Sequence, residues 1–212
     1  MLIKEIKSLA IPDIKVIRYA RFGDQRGYFS ETFRKGDLRR EERVAFLGAL
    51  DFLQGNESYS KAGTLRGMHF QWNPFMGKLV RTINGHMLDL VVDIRQGSPT
   101  LGKMIAYDMP CDLGADFSEW IWVPPGFAHG NCFPENTQIE YLCTGEYSKG
   151  CEAGICPFAP DIDWSLCDPK LKAVFDGFNR PDALINDKDR NGITLSGWLS
   201  GPNGGQFVYG KR

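Results

Sequence analysis

The pattern of apolar and polar positions between Phe52 and Tyr147 is typical of a protein built from β-strands. Short apolar or alternating runs recur at near-regular spacing, and clusters of Gly, Pro and Asn separate them. Such spacing predicts an all-β fold, an antiparallel sandwich or barrel with short peripheral helices. The predicted strands are residues 54–60, 63–71, 78–84, 86–95, 102–109, 119–123, 130–133 and 138–144. Asn84-Gly85, between the third and fourth of these runs, predicts a tight β-hairpin.

The two ends of the chain carry weaker patterns. A strand is predicted at 14–19, followed by a glycine-containing turn at 22–27 and an aromatic-rich strand. Residues 37–47 predict a helix with Asp37 as its N-cap, and a short helical piece is predicted near 169–175. We therefore predict a single domain, with a jelly-roll core at about 52–147, an N-terminal arm at about 1–35 and an irregular segment at about 150–212.

Composition narrows the class of protein. The chain has 212 residues, 42% of them hydrophobic, which is enough for a sizeable core. A formal net charge of −1 argues against a dedicated nucleic-acid or membrane surface, and no run reaches the roughly 18 apolar residues of a membrane span. The N-terminus lacks a signal peptide's apolar core. Six cysteines without metal-binding spacing predict free, mostly buried thiols, so we expect a cytoplasmic protein that holds no metal and no cofactor.

The stretch 64–81 concentrates side chains that can carry chemistry. It holds two cations, Arg66 and Lys78, together with His69, which is one of only three histidines in the chain. A base that works near pH 7 therefore has few other candidates. The alternative is structural: the cations reach water along apolar surface and His69 is a hydrogen-bonded core residue. Pattern and composition leave both interpretations open.

Four separated segments resemble those of a known family. They are Phe-Gly-Asp-Gln-Arg-Gly-Tyr-Phe-Ser-Glu at 22–31, Leu-Arg-Gly-Met-His-Phe-Gln at 65–71, Asp-Ile-Arg-Gln-Gly-Ser-Pro-Thr-Leu-Gly-Lys at 93–103 and Trp-Val-Pro-Pro-Gly-Phe-Ala-His-Gly at 122–130. In order and spacing they resemble the dTDP-4-dehydrorhamnose 3,5-epimerase family, from about residue 8 to 195. The resemblance implies a jelly-roll, cupin-like fold and a nucleotide-diphosphate sugar as substrate. It also implies a homodimer in which the N-terminal strand crosses to the neighbour.

The resemblance further implies the roles of individual residues. The base falls on His69, the aspartate that orients it falls on Asp189, and the family's lysine falls on Lys78. The acid falls on Tyr141, a placement that needs one residue deleted from the preceding loop; without the gap it would be Leu142. The implied ligand contacts are Arg26, Glu31, Gln54, Asn56, Arg66, His129 and Tyr147.

Several alternatives remain open at this point. Pro124-Pro-Gly-Phe-Ala-His129 resembles half of the signature of metal-dependent cupin enzymes, but Gln71 stands where the other half needs a histidine. A non-catalytic sugar-nucleotide binding module would use the aromatics and arginines without needing a His–Asp pair. Within the epimerase interpretation, inversion at C3 alone or at both C3 and C5 fits the same residues. Pro134, a shortened loop at 133–138 and a longer tail depart from the family pattern and leave the sugar open.

The spacing of Arg66 and His69 poses a geometric problem. The two residues are three apart, and an ideal strand points such residues to opposite faces. A β-bulge at Gly67 would bring both side chains to one face, so we predict a bulge there.

Overall fold

The computed structural model describes residues 1–211, and most of it is antiparallel β-sheet. The strands are β1 (Ile3–Ser8), β2 (Lys15–Ala20), β3 (Phe22–Asp24), β4 (Gly27–Phe29), β5 (Gln54–Ser60), β6 (Thr64–Gln71), β7 (Lys78–Asn84), β8 (His86–Asp93), β9 (Met104–Pro110), β10 (Phe117–Val123), β11 (Phe127–Phe133), β12 (Thr137–Cys143) and β13 (Glu152–Gly154). The short helices are α1 (Lys35–Arg40), α2 (Pro169–Asp176), α3 (Asp187–Arg190) and α4 (Leu195–Ser200), and 3-10 turns occur at Glu42–Gly48 and Gly204–Gln206.

Two sheets form the body of the molecule. One has six strands in the order β1-β2-β10-β7-β12-β5, and the other has five in the order β13-β6-β11-β8-β9. Neighbouring strands pair antiparallel in both sheets, and β3 and β4 form a separate hairpin. This two-sheet arrangement is a jelly roll, so the predicted fold class is confirmed. Strands β1 and β2, which lie outside the range 52–147, form one edge of the six-stranded sheet.

Apolar side chains form three layers, one between the sheets and one on each outer face. The inner layer joins both sheets, for example through Val80 of β7 and Val91 of β8. The segment after β4 covers the outside of the six-stranded sheet around Trp120, and the C-terminal segment covers the outside of the five-stranded sheet around Phe70. Each large apolar side chain buried in this way stabilises the fold by about 1.5–3 kcal/mol. Because both faces of β8 are covered, apolar residues occupy neighbouring positions of its sequence, interrupted by Asp89, instead of alternating with polar residues.

The helix predicted at 37–47 is broken into two parts. Helix α1 ends at Arg40, Glu41 is extended, and a 3-10 turn follows at Glu42–Gly48. The N-cap is Arg34, so the prediction of Asp37 as N-cap is wrong; Asp37 lies inside the first turn. At 3.6 residues per turn, positions 38 and 44 of one continuous helix would face different directions. The break lets Leu38 and Val44 be buried against the same sheet.

The hairpin predicted at Asn84-Gly85 is also wrong, although a turn does occur there. Gly85 has φ +86°, as a tight turn requires. However, β7 pairs with β10 and β12, whereas β8 pairs with β9 and β11. The turn therefore carries the chain from one sheet to the other, because β8 lies between β11 and β9 in the five-stranded sheet, where both its faces are covered.

The remaining elements match the sequence expectations in part. The predicted strands of the core occur with shifts of a few residues at their ends, and α2 confirms the helical piece, with Asp168 capping it through the N–H of Lys170 at 2.8 Å. Strands β1, β3 and β13 and helices α3 and α4 were not predicted, and β3 occupies the first half of the turn predicted at 22–27. All six cysteines are free, but only Cys132, Cys143 and Cys167 are buried. No helix within residues 1–211 has both the length and the apolarity to cross a membrane.

Candidate active site

A cavity of about 230 Å³ is lined by residues from both sheets. Its lining comprises Ser58, Arg66, His69, Lys78, His129, Asn131, Ile139, Tyr141, Asn186 and Asp189. Six of the eleven predicted site residues are therefore brought together here. A second cavity of about 320 Å³ lies beside Arg18 and Arg21, but no histidine lines it. The chemistry of its lining thus makes the first cavity the candidate site, although it is the smaller one.

A bulge in β6 points Arg66 and His69 into the same cavity, as predicted. On β11, His129 pairs with His69 and Asn131 pairs with Arg66, so three steps along β6 match two along β11. Gly67 has φ +114°, and a Cβ on it would lie 2.5 Å from Cα of Gly130. Glycine is therefore required at this point both for its backbone conformation and for the close approach of the two strands.

His69 and Asp189 form a hydrogen-bonded pair at one wall of the cavity. His69 Nε2 lies 2.6 Å from Asp189 Oδ1, and Asp189 Oδ2 accepts from the N–H of Gly67 at 3.0 Å. Asp189 is only 2% exposed, and its own N–H donates to Asn186 Oδ1 at the start of α3. Burial alone would raise the pKa of Asp189, but its hydrogen bonds with His69 and Gly67 hold that pKa below its usual value. The carboxylate therefore stays ionised and keeps the imidazole in one orientation.

The six-stranded sheet forms the wall of the cavity opposite His69, and strands β5, β7 and β12 contribute to it with every second residue. Tyr141 of β12 pairs with Asn56 of β5 and with Val80 of β7. In the adjoining row, Lys78 pairs with Cys143, which pairs in turn with Gln54. Paired residues of antiparallel strands share a face. Tyr141, Asn56, Lys78 and Gln54 thus point to the inner face, as the period of two along β5 requires.

Burial changes the proton affinity of two groups on this wall. Burial raises the pKa of the Tyr141 phenol, which consequently stays neutral and able to donate a proton at neutral pH. Burial lowers the pKa of the Lys78 ammonium, which has no hydrogen-bond acceptor within the described chain. A cation without a protein partner in a cavity is available to an anionic or developing negative charge.

A second His–carboxylate pair lies in the same cavity and includes a residue that the sequence analysis missed. His129 Nε2 lies 2.7 Å from Oδ2 of Asp89, which is fully buried, and Asn131 Nδ2 donates to the same oxygen at 3.0 Å. The only sequence signal for Asp89 is a charge within the apolar run of β8. Across residues 1–211, no three His, Cys, Asp or Glu side chains form a group that could hold a metal ion.

Three predicted ligand contacts, Gln54, Asn56 and Tyr147, lie beside the cavity without lining it, and we call this position its rim. Tyr147 is 56% exposed, and its N–H donates to Gln54 Oε1 at 2.8 Å. Gln54 Nε2 in turn donates to Asn56 Oδ1 at 3.0 Å. The Tyr147 hydroxyl donates to Oε1 of Glu152, which also pairs with Lys188 at 2.9 Å. These contacts link the rim residues to β5 and β13.

Arg26 and Glu31 do not reach this cavity within one protomer. The Arg26 side chain is 85% exposed and pairs with Asp24 in the β3–β4 hairpin, while Glu31 pairs with the amino group of Met1 at 2.7 Å. The hairpin also exposes large aromatic side chains, among them Phe29 at 66%. Arg26 therefore lies on an exposed, partly apolar hairpin, whereas Glu31 follows that hairpin and contacts the N-terminus.

Comparison with known proteins gives consistent matches over nearly the whole chain. A family model described as dTDP-4-dehydrorhamnose 3,5-epimerase matches residues 8–197. A Sinorhizobium fredii protein of that name is 45% identical over 152 residues, covering 70% of this chain and 73% of that protein. The crystal structure of a Legionella pneumophila dTDP-6-deoxy-D-glucose-3,5-epimerase in complex with dTDP-4-keto-L-rhamnose superposes with a TM-score of 0.78 at 29% identity, covering 98% of this chain and 99% of that one. A 3'-monoepimerase from Streptomyces bikiniensis in complex with dTDP-quinovose superposes with a TM-score of 0.68 at 27% identity, covering 93% and 89%.

Proposed function

The chain belongs to the dTDP-4-dehydrorhamnose 3,5-epimerase family, and we propose that it inverts C3, C5 or both of a dTDP-linked 4-keto-6-deoxyhexose by proton transfer through an enolate. Family membership makes the protein an isomerase. The observation that carries the proposed reaction is the pair of opposing groups in one cavity, His69 with Asp189 on one wall and Tyr141 on the other.

The substrate class explains why these groups are needed. A ketone at C4 acidifies the hydrogens on C3 and C5, because loss of either proton gives an enolate. Inversion then needs a base on one face of the sugar ring and an acid on the other. A neutral imidazole has a pKa near 6.5 and can serve as the base at cellular pH.

Each group on the base side has a defined task. Asp189 accepts the Nε2–H of His69, which leaves Nδ1 unprotonated and without a hydrogen-bond partner in the described residues. Nδ1 is therefore the atom that takes the substrate proton. The carboxylate stabilises the imidazolium that forms, as in other His–Asp pairs.

Lys78 and Tyr141 complete the reaction on the other wall. The ammonium of Lys78 stabilises the negative charge that develops on the C4 oxygen, which in a water-poor site is often the largest single contribution. The neutral phenol of Tyr141 returns a proton to the opposite face of the carbon. Because the base and the acid come from different sheets, deprotonation and reprotonation occur on opposite sides and the centre inverts.

The nucleotide part of the substrate lies toward the rim in this proposal. Arg66 suits a diphosphate because its planar guanidinium can donate two parallel hydrogen bonds. In this proposal the substrate also contacts His129 in the cavity and Gln54, Asn56 and Tyr147 at the rim. Arg26 and Glu31 act from the neighbour of a homodimer, since neither lines the cavity of its own protomer and the hairpin that carries Arg26 exposes aromatic side chains. Six free cysteines fit action in the cytoplasm.

Incubation with dTDP-4-keto-6-deoxyglucose in D2O, followed by NMR, tests the proposal. Deuterium at C3 alone, or at both C3 and C5, together with an inverted product supports the reaction and decides how many centres are inverted. Inversion of a single centre is one of the two expected outcomes, because the chain is also similar to a 3'-monoepimerase. Absence of both exchange and inversion would refute the proposed reaction.

A further inference from the structure

The segment that carries Tyr147 has no regular secondary structure, yet its backbone is held at several points. Residues 144–150 form bends and turns between β12 and β13. Tyr147 itself is 56% exposed, so packing of its ring contributes little to fixing its position. Its N–H donates to Gln54 Oε1 at 2.8 Å. Other hydrogen bonds must fix the two peptide groups on either side.

The carboxamide of Gln71 supplies those hydrogen bonds. Gln71 is the last residue of β6 and is only 4% exposed. Its Nε2 donates to the carbonyl of Glu146 at 2.9 Å, and its Oε1 accepts from the N–H of Ser148 at 2.9 Å. One side chain thus bonds the residues immediately before and after Tyr147, much as a neighbouring strand would do.

Gln71 also joins this segment to the turn that follows β6. Its second Nε2 hydrogen donates to the carbonyl of Pro74 at 3.1 Å. The same two segments meet again where the N–H of Gly77 donates to Thr144 Oγ1 at 2.8 Å. Both donors of the buried carboxamide are therefore satisfied, and one side chain joins β6 to the two loops.

We propose that Gln71 is a positioning residue for substrate binding, which acts by holding Tyr147 at the rim of the cavity where the nucleotide binds. This inference rests on the proposed function and extends it to a residue that does not touch the cavity. An exposed tyrosine ring offers a flat face to a nucleobase, and such stacking is strong only if the ring is held in place before the ligand arrives. Without the Gln71 carboxamide, the hydrogen bonds to Glu146 and Ser148 would be lost, and more of the segment would have to be ordered during binding.

The test compares Gln71→Met with the wild type in steady-state kinetics on dTDP-4-keto-6-deoxyglucose. Met keeps the length of the side chain and removes all three hydrogen bonds. We expect KM, and the dissociation constant for dTDP measured by calorimetry, to rise about tenfold, while kcat changes by less than about threefold. In a Tyr147→Ala background the same substitution should cause no further rise in KM, because Gln71 acts through Tyr147.

Two further variants separate positioning from general stability. Asp168→Ala removes the cap of α2, away from the cavity, and should lower the melting temperature without changing KM. Gln71→Glu keeps the shape of the side chain but turns a carboxylate toward two carbonyl oxygens. It should raise KM as Gln71→Met does, and it replaces that variant if Gln71→Met fails to fold.

The outcomes divide clearly. An unchanged KM, or a rise that adds in full to that of Tyr147→Ala, overturns the role of Gln71, and so does loss of folded protein in both Gln71 variants. If the wild type turns over the substrate and the Gln71 variants have the wild-type KM, only the role of Gln71 is refuted. A wild type with no turnover removes the proposed function as well.

Discussion

Replacing Asp189 by asparagine isolates what the buried carboxylate does for His69. The asparagine side chain would have the same shape, and its amide oxygen could still accept from the N–H of Gly67, now 3.0 Å from Asp189 Oδ2. The amide nitrogen would then face His69 Nε2 in place of a carboxylate oxygen 2.6 Å away. A donor at that point favours the tautomer with its hydrogen on Nδ1. The nitrogen that should take the substrate proton would then already carry one.

The geometry sets the size of the expected effect. A histidine held in the wrong tautomer, without a carboxylate to stabilise the imidazolium, should lower kcat about 10²–10⁴-fold. That range corresponds to about 3–5 kcal/mol in the activation free energy. The fold should tolerate the change, because only one charge-assisted hydrogen bond becomes neutral. We expect a loss of about 1 kcal/mol in the free energy of unfolding, or roughly 2–4 °C in Tm.

The stability difference should depend on pH in a defined direction. The folded protein holds the pKa of Asp189 below the ordinary aspartate value of 3.8. A depressed carboxylate pKa contributes stability at pH values above the unfolded pKa, and that contribution is lost as the pH falls through the folded pKa. The wild type should therefore be more stable than Asp189→Asn at pH 7. The two unfolding free energies should converge below about pH 4.

The assay is NMR of the sugar in D2O, with kcat measured across pH and Tm measured on the same samples. Asp108→Asn is the matched control, because Asp108 pairs with His86 at a partly exposed site outside the candidate cavity. This control should keep the wild-type kcat and pH profile. A wild-type rate and pH profile in Asp189→Asn would remove Asp189 from the mechanism.

Four further predictions concern the other groups of the site. His69→Ala should abolish both inversion and deuterium uptake, whereas Tyr141→Phe should stop inversion but keep any deuterium exchange that occurs through the imidazolium; NMR in D2O measures both. If Tyr141→Phe inverts the sugar at the wild-type rate, another group is the acid, and Tyr147 is the first residue to test. Because burial lowers the pKa of Lys78, kcat should decline as the pH rises, and the decline should begin below the ordinary lysine pKa of 10.5. Lys78→Met should lose that decline along with about 10²–10³ of the rate, and an unaltered alkaline pH–rate profile would contradict the role of Lys78. The Arg26→Ala and His69→Ala proteins should each have low activity alone and regain activity when mixed, because a hybrid dimer contains one intact site. A fully active monomer in analytical ultracentrifugation would exclude a site shared between protomers. Activity should survive exhaustive treatment with EDTA, and a loss that one divalent metal restores would favour a metal-dependent enzyme.

The fold was predictable from sequence where the local residue pattern alone decides the structure, as at the ends of strands. The strand ends at Gln54–Ser60 and Lys78–Asn84 occur where the pattern placed them, because turn residues flank both runs. Asn84-Gly85 shows the limit of local signals: the dipeptide sets the turn, but pairing is decided by which strands need both faces buried. The break at Glu41 likewise follows from tertiary burial of Val44, which helix propensity cannot register.

The candidate site was predictable only in part, for a similar reason. His69, Lys78 and Tyr141 were found through motifs, and the bulge at Gly67 followed from the requirement that Arg66 and His69 share one cavity. Asp89 acts through His129, which is 40 positions away along the chain, and Gln71 acts through Glu146, which is 75 positions away. No local pattern carries such contacts, so these residues emerge only once the sheets are packed.

The extra residue in β6 limits how this protein can diverge. A larger residue at position 67, where a Cβ would lie 2.5 Å from Cα of Gly130, would disfavour the bulge, and regular alternation at unchanged length would turn either Arg66 or His69 to the other face. A substitution elsewhere around the cavity leaves that register intact. Natural or laboratory variation should therefore alter ligand preference through replacements elsewhere around the cavity, while substitutions of Gly67 should lower activity whatever the new side chain.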